Sequence, residues 1–148
     1  MDGNSLTDDV GYLLSRASGA LVRATNAALA AHGLRVRSYS ALLLACDSDD
    51  GMSQRALAEV LGLDPSQVVL LVDELTEAGL VERRPSESDR RTKLVAATGA
   101  GHAVRRRAGS AVAEAHRDQL GGLTAEEQGL LRGLLGRLVL GGEPALRG

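Results

Sequence analysis

Apolar residues recur every three to four positions between Thr7 and Ala31, at Val10, Leu13, Leu14, Ala17, Leu21, Ala24 and Ala28. That period lines them along one side of an α-helix, so the segment is expected to be a long amphipathic helix. Thr7, Asp8 and Asp9 supply caps and negative charge at its start, and Gly33 marks its stop. A second helix is expected from Ser38, as N-cap, to about Ala45. Asp47-Ser48-Asp49-Asp50-Gly51 then reads as a loop. Ser53 can cap a short helix through Leu61 with Leu57, Ala58 and Leu61 on its inner face, ended by Gly62. Asp64-Pro65 restarts a helix, because Asp accepts hydrogen bonds from free amides and Pro is tolerated at the first helical position. Val68, Leu71, Val72 and Leu75 form its inner stripe, and Gly79 stops it. Two short helices joined by a tight Gly-containing turn make a helix-turn-helix.

The period then changes. Residues 80–84 and 92–96 read as strands around the polar loop 85–91. A hairpin directly after a helix-turn-helix is a wing. A long helix is expected from about Thr98 to Leu120, with Val104, Ala108, Ala111, Val112, Ala115 and Leu120 as its stripe. A last helix opens with the capping box Thr124-Ala125-Glu126-Glu127. It continues through Leu130, Leu131, Leu134, Leu135 and Leu138, a ladder more apolar than a lone surface helix requires, so it is expected to pack on a partner helix. Gly141 to Gly148 reads as a frayed end.

Composition narrows the chemistry. The chain has 148 residues, 44% of them hydrophobic, enough for one cored domain or one module with an appended dimerisation element. Without Phe or Trp and with two Tyr, the core must be aliphatic. Lys93 is the sole lysine among seventeen basic residues. The net charge of −2 argues against general coating of nucleic acid, so any such contact must come from a local basic patch. The single cysteine, Cys46, excludes an intramolecular disulfide and suits a reducing cytoplasm. Met1-Asp2-Gly3-Asn4, without a basic region followed by an apolar stretch, is not expected to open a signal peptide, and no apolar run approaches the roughly 20 residues of a membrane helix.

Several segments, in this order, carry a resemblance. They are Leu63-Asp64-Pro65-Ser66, Leu71-Val72-Asp73, Glu77-Ala78-Gly79-Leu80-Val81-Glu82-Arg83, and Asp89-Arg90-Arg91 followed by Leu94-Val95 and Thr98. Together with the order of elements they resemble the multiple antibiotic resistance regulator (MarR) family over nearly the whole chain. The resemblance implies a mainly α fold with a small β-hairpin wing, a winged helix-turn-helix with N- and C-terminal dimerisation helices. Residues 1–34 and 98–148 would form the dimerisation region and 35–97 the DNA-binding region. It also implies a homodimeric repressor, no enzyme, bound to a palindromic operator of double-stranded DNA and released by a small molecule. The second helix of the motif would enter the major groove and the wing-tip arginine the minor groove.

Electrostatics agrees for the wing. Asp89 is expected to pair with Arg91 across the tip and leave Arg90 pointing outward, where Arg suits the negative potential of a narrow minor groove. Arg83, Arg84 and Lys93 are expected on phosphates, with Arg37, Ser53 and Arg55 as further candidate DNA contacts. On the groove-facing helix, turning the apolar stripe inward turns Ser66, Val69, Leu70, Asp73 and Glu74 outward. Members of the family often carry a polar residue where Val69 stands and basic ones where Leu70 and Glu74 stand. From Ser53 to Lys93, eight acidic residues oppose six basic ones. Non-specific affinity is therefore expected to be low. Val69 and Leu70 can still meet thymine methyls, and Ser66 or Gln67 base edges. The alternative reading is a dimeric winged-helix protein whose Val69-Leu70 surface has lost operator binding and serves protein interaction.

For an effector, Tyr12, Arg16, His32 and Tyr39 are the polar or aromatic groups expected near the cleft that the resemblance implies. Any such pocket would be aliphatic and stack poorly on a flat ligand. Cys46, in the apolar run Leu42-Leu43-Leu44-Ala45, reads as a buried small hydrophobe in preference to a redox sensor. His32, His102 and His116 are scattered, no metal-ligand spacing is present, and no cofactor is expected. Ser/His/Asp and Cys/His arrangements and phosphate-binding Gly loops are absent from the sequence.

Overall fold

A computed structural model describes residues 5–141, so the expectations for Met1 to Asn4 and for the end beyond Gly141 lie outside the described residues. A 3-10 turn, Leu6–Asp8, leads into α1, Val10–Ala30. Asp9 is its N-cap, accepting the Tyr12 main-chain N–H at 2.7 Å. Helix α2 spans Val36–Asp47, its N-cap three residues earlier than expected. Arg35, not Ser38, is the N-cap. Ser38 sits at the third helical position, where its hydroxyl accepts the Arg35 N–H at 3.0 Å and donates to the Arg35 carbonyl at 3.1 Å. A Ser three residues into a helix reproduces the return bond of a capping box, which is why it reads as a start signal.

Strand β1, Met52–Ser53, precedes α3, Gln54–Leu61, and α4, Pro65–Glu77. Strands β2, Val81–Pro85, and β3, Lys93–Ala97, form the hairpin, followed by α5, Gly99–Gln119, and α6, Ala125–Leu140. The hairpin strands each lie one residue later than the sequence suggests. The sheet has three antiparallel strands in the order β1-β3-β2, with Met52 opposite Val95 and Arg83 opposite Val95 on the other side. Strand β1 is too short to leave a periodic signal, so the pattern reading missed it.

The core is aliphatic. Leu29, Leu34, Leu42, Ala45, Leu57, Val68, Val72, Leu75, Val81, Val95 and Ala108 are buried together, with Tyr39 the one aromatic member. Leu71, expected in the inner stripe of α4, is only half-buried. Helix α5 runs along α1, and the buried Thr25 hydroxyl meets His116 Nε2 at 3.0 Å across that contact. The same hydroxyl lies 2.7 Å from the Leu21 carbonyl; donating its one proton there leaves His116 to donate through Nε2. At the start of α5, Gly101 passes so close to the Leu80 carbonyl that a Cβ would lie 2.1 Å from its oxygen.

Two apolar faces find no cover among the described residues. Val10, Leu13 and Leu14 on α1 are exposed, as are Leu130, Leu134, Leu138 and Val139 on α6. Helix α6 stands off the other described elements although it is well begun. Thr124 Oγ1 accepts the Glu127 N–H at 3.1 Å, and Glu127 Oε1 accepts the Thr124 N–H at 2.9 Å. The Thr124 main-chain N–H, with the Thr124 hydroxyl adding to it, holds the Glu127 carboxyl below its ordinary range.

Candidate nucleic-acid interface

Ser53 starts α3, its hydroxyl accepting the Ala56 N–H at 3.1 Å. Gly62 ends the helix with φ 65°, a left-handed conformation that glycine adopts without the Cβ penalty. The turn sets α4 across α3, with Val68, Val72 and Leu75 buried beneath it. The opposite face therefore points to solvent. Ser66, Asp73 and Glu74 are exposed there, with Val69 at 38% and Leu70 at 69% of full accessibility. Gln67 is half-buried, and its Oε1 accepts the Asp64 N–H at 3.1 Å in the cap of α4.

Arg83 departs from expectation. Its Nη2 donates to Asp73 Oδ1 at 2.7 Å, and Nη2 and Nε both reach Gln54 Oε1, at 2.9 and 3.0 Å. The guanidinium, placed for a phosphate by the sequence reading, instead ties strand β2 to α4 and to the start of α3. It fixes the wing relative to the outward helix. Gln54 was not singled out from sequence, because 29 residues separate it from Arg83. Arg84 Nε lies 2.5 Å from Glu82 Oε1, a half-exposed pair that a phosphate oxygen can replace at little cost.

At the wing tip the expected Asp89–Arg91 pairing takes a different form. Asp89 Oδ1 accepts the main-chain N–H of Arg91 at 3.0 Å, and Oδ2 accepts the Thr92 hydroxyl at 3.3 Å. Asp favours this local bond to a main-chain amide two residues on, which shapes the turn without engaging a guanidinium. Among the described residues neither Arg90 nor Arg91 has a carboxylate partner, and both are exposed. Lys93, at the start of β3, is exposed, as is Arg37 in the first turn of α2. Arg55 is 91% exposed and reaches Glu59 at 3.7 Å.

A cleft of about 660 Å³ opens beside α4. Val22 and Asn26 of α1, residues Arg35 to Ser38 at the start of α2, and Gln67, Leu70, Leu71 and Glu74 of α4 line it. Asn26 fixes one wall by accepting the Val36 N–H at 2.9 Å. Tyr12, Arg16, His32 and Tyr39 do not line it. Tyr12 is near the start of α1 and His32 beyond its end, and a 21-residue helix at about 1.5 Å per residue keeps them some ~30 Å apart. Tyr39 is buried, its hydroxyl near Gly109 of α5. Cys46 packs against the core, and burial pushes its thiol pKa up, against the lowering effect of Arg105. Arg105 is held by Asp47. A protonated, half-buried thiol is a poor nucleophile.

These features define a winged helix-turn-helix DNA-binding module. A model of the MarR family matches residues 32–92, and the chain belongs to that family. It is 32% identical to the HTH-type transcriptional repressor Rv2887 of Mycobacterium tuberculosis over 90% of this chain and 96% of the relative. The chain spans between 55% and 96% of the length of curated relatives that it matches. Among solved structures, CouR of Rhodococcus jostii RHA1 bound to p-coumaroyl-CoA is 47% identical, with a TM-score of 0.86 over 92% of this chain and 95% of that one. A transcriptional repressor CouR bound to a 23-mer DNA duplex is 29% identical, with a TM-score of 0.83 over 94% and 98%. The chain is thus a transcriptional regulator and not an enzyme. No described helix is long and apolar enough to cross a membrane.

Proposed function

We propose that the chain is a homodimeric repressor that holds a palindromic operator in the cytoplasm and is released by an amphipathic anion. The observation that carries this reading is the pairing of an outward helix, α4, with a hairpin whose tip presents Arg90 without a carboxylate partner among the described residues. The uncovered leucines of α6 and the apolar start of α1 favour a second copy as their cover, and residues 1–34 and 98–148 as the dimerisation region. A two-fold dimer presents two α4 helices and two wings, which suits a palindrome. Ser66, Val69 and Leu70 would face base edges, Arg90 the minor groove, and Arg37, Arg55, Arg84, Arg91 and Lys93 phosphates.

The effector would occupy the cleft beside α4. Val22, Val36, Leu70 and Leu71 offer it apolar walls, and Arg35 and Arg37 offer positive charge. The likeness to a CouR that holds p-coumaroyl-CoA supports an acyl thioester carrying phosphates as the class. Because Leu70 and Glu74 both border the cleft and stand on the outward face of α4, an occupant would obstruct DNA directly.

A mobility-shift titration with the gene's own upstream DNA tests the reading. A discrete complex should survive unrelated competitor duplex and should dissolve when p-coumaroyl-CoA is added. No complex at any salt concentration would overturn operator binding and favour a protein-interaction role for the Val69-Leu70 surface. A complex indifferent to the thioester would overturn the effector assignment alone.

A further inference from the structure

We propose that the first turns of α4 read A·T base pairs through the thymine 5-methyl group, with Leu70 and Val69 as the specificity-determining contacts. The inference rests on the operator-binding reading above and names what that helix recognises.

Side chains read the major groove in four main ways. Arg or Lys grips guanine, Asn or Gln grips adenine, Asp or Glu accepts from cytosine, and apolar groups meet the thymine methyl. Helix α4 removes the first three in turn. It contains no Arg, Lys or Asn. Its one Gln, Gln67, is half-buried with Oε1 engaged by the Asp64 N–H, so it lacks the free acceptor that bidentate pairing with adenine requires. Asp73 holds Arg83 through Oδ1. Glu74 lies a turn beyond Leu70, and in a helix-turn-helix the N-terminal residues of the second helix are the ones that contact base edges.

What remains at that end is Ser66, Val69 and Leu70. Leu70 presents 69% of its surface and Val69 38%, side by side on the outward face. Burying such groups against thymine methyls removes apolar surface from water on both partners. With acidic residues outnumbering basic ones across the motif, phosphate attraction is weak. This apolar contact is then a larger share of what distinguishes one sequence from another.

The experiment begins with selection of full-length protein against a random-sequence duplex pool. Half-sites should emerge with thymine at the positions beneath α4. Replacing those thymines by uracil, which removes only the methyl groups, should weaken binding by about four-fold per methyl contacted. Leu70→Ala should lose affinity for the thymine duplex by a comparable factor and no longer distinguish thymine from uracil, and Val69→Ala should do the same at the neighbouring position. Both residues are solvent-exposed, so the variants retain the fold. Specific binding that is indifferent to uracil, or selected half-sites centred on guanine beneath α4, would overturn the inference while leaving operator binding intact. Failure to enrich any sequence or to form a competitor-resistant complex would overturn operator binding, and this inference with it.

Discussion

Asp89 shapes the wing tip through the Arg91 main chain and the Thr92 hydroxyl, which leaves the Arg90 and Arg91 side chains unengaged by it. A guanidinium already held by a carboxylate must give up that partner before it enters a groove, whereas Arg90 has no such partner among the described residues. Arg90→Ala should therefore weaken operator binding by about ten-fold or more, judged from the 1–3 kcal/mol typical of a specific base contact. The thermal unfolding midpoint should stay unchanged, since the side chain is exposed. A fluorescence-anisotropy titration checks this, and equal affinity would remove Arg90 from the interface. Arg83 contrasts with it. Its candidacy followed from charge and position in the hairpin, and its actual partners, Asp73 and Gln54, lie 10 and 29 residues away. Local sequence reports that a cation is present. Whether the cation is free depends on what the fold brings beside it.

Among the elements, the helix-turn-helix was readable because each boundary carries its own chemistry. The Ser53 cap, the left-handed Gly62 and the Asp64-Pro65 start are local devices that act within a few residues. The misplaced start of α2 has the same origin, since Ser38 serves a cap from three residues inside the helix. Strand β1 and the close approach of α5 to Leu80 had no local signature. Gly101 has a negative backbone angle and sits in a helix, so nothing near it in sequence calls for glycine. Its reason is the Leu80 carbonyl against which it packs. Gly101→Ala should force backbone to move and destabilise the protein by about 3 kcal/mol, the upper part of the range for overpacking. Chemical denaturation should show a lower midpoint; an unchanged one would mean that the α5 contact relaxes freely.

For the whole molecule, the decisive feature is what the subunit leaves uncovered. Leu130, Leu134 and Leu138 lie at successive four-residue steps on α6, which makes little contact with the other described elements. If a second copy covers them, Leu134→Glu with Leu138→Glu should give a species of half the native mass in analytical ultracentrifugation. Retention of the native mass would place the dimer contact elsewhere. The sequence by itself determined the order and type of elements, the aliphatic core and the family resemblance, because helical period, caps and turn residues act over short distances along the chain. Only the tertiary structure decided which cations are free and where a cleft opens. Those properties depend on groups far apart in sequence, as with Arg83 and Gln54 or Asn26 and Val36, and no pattern within one segment encodes the distance between them.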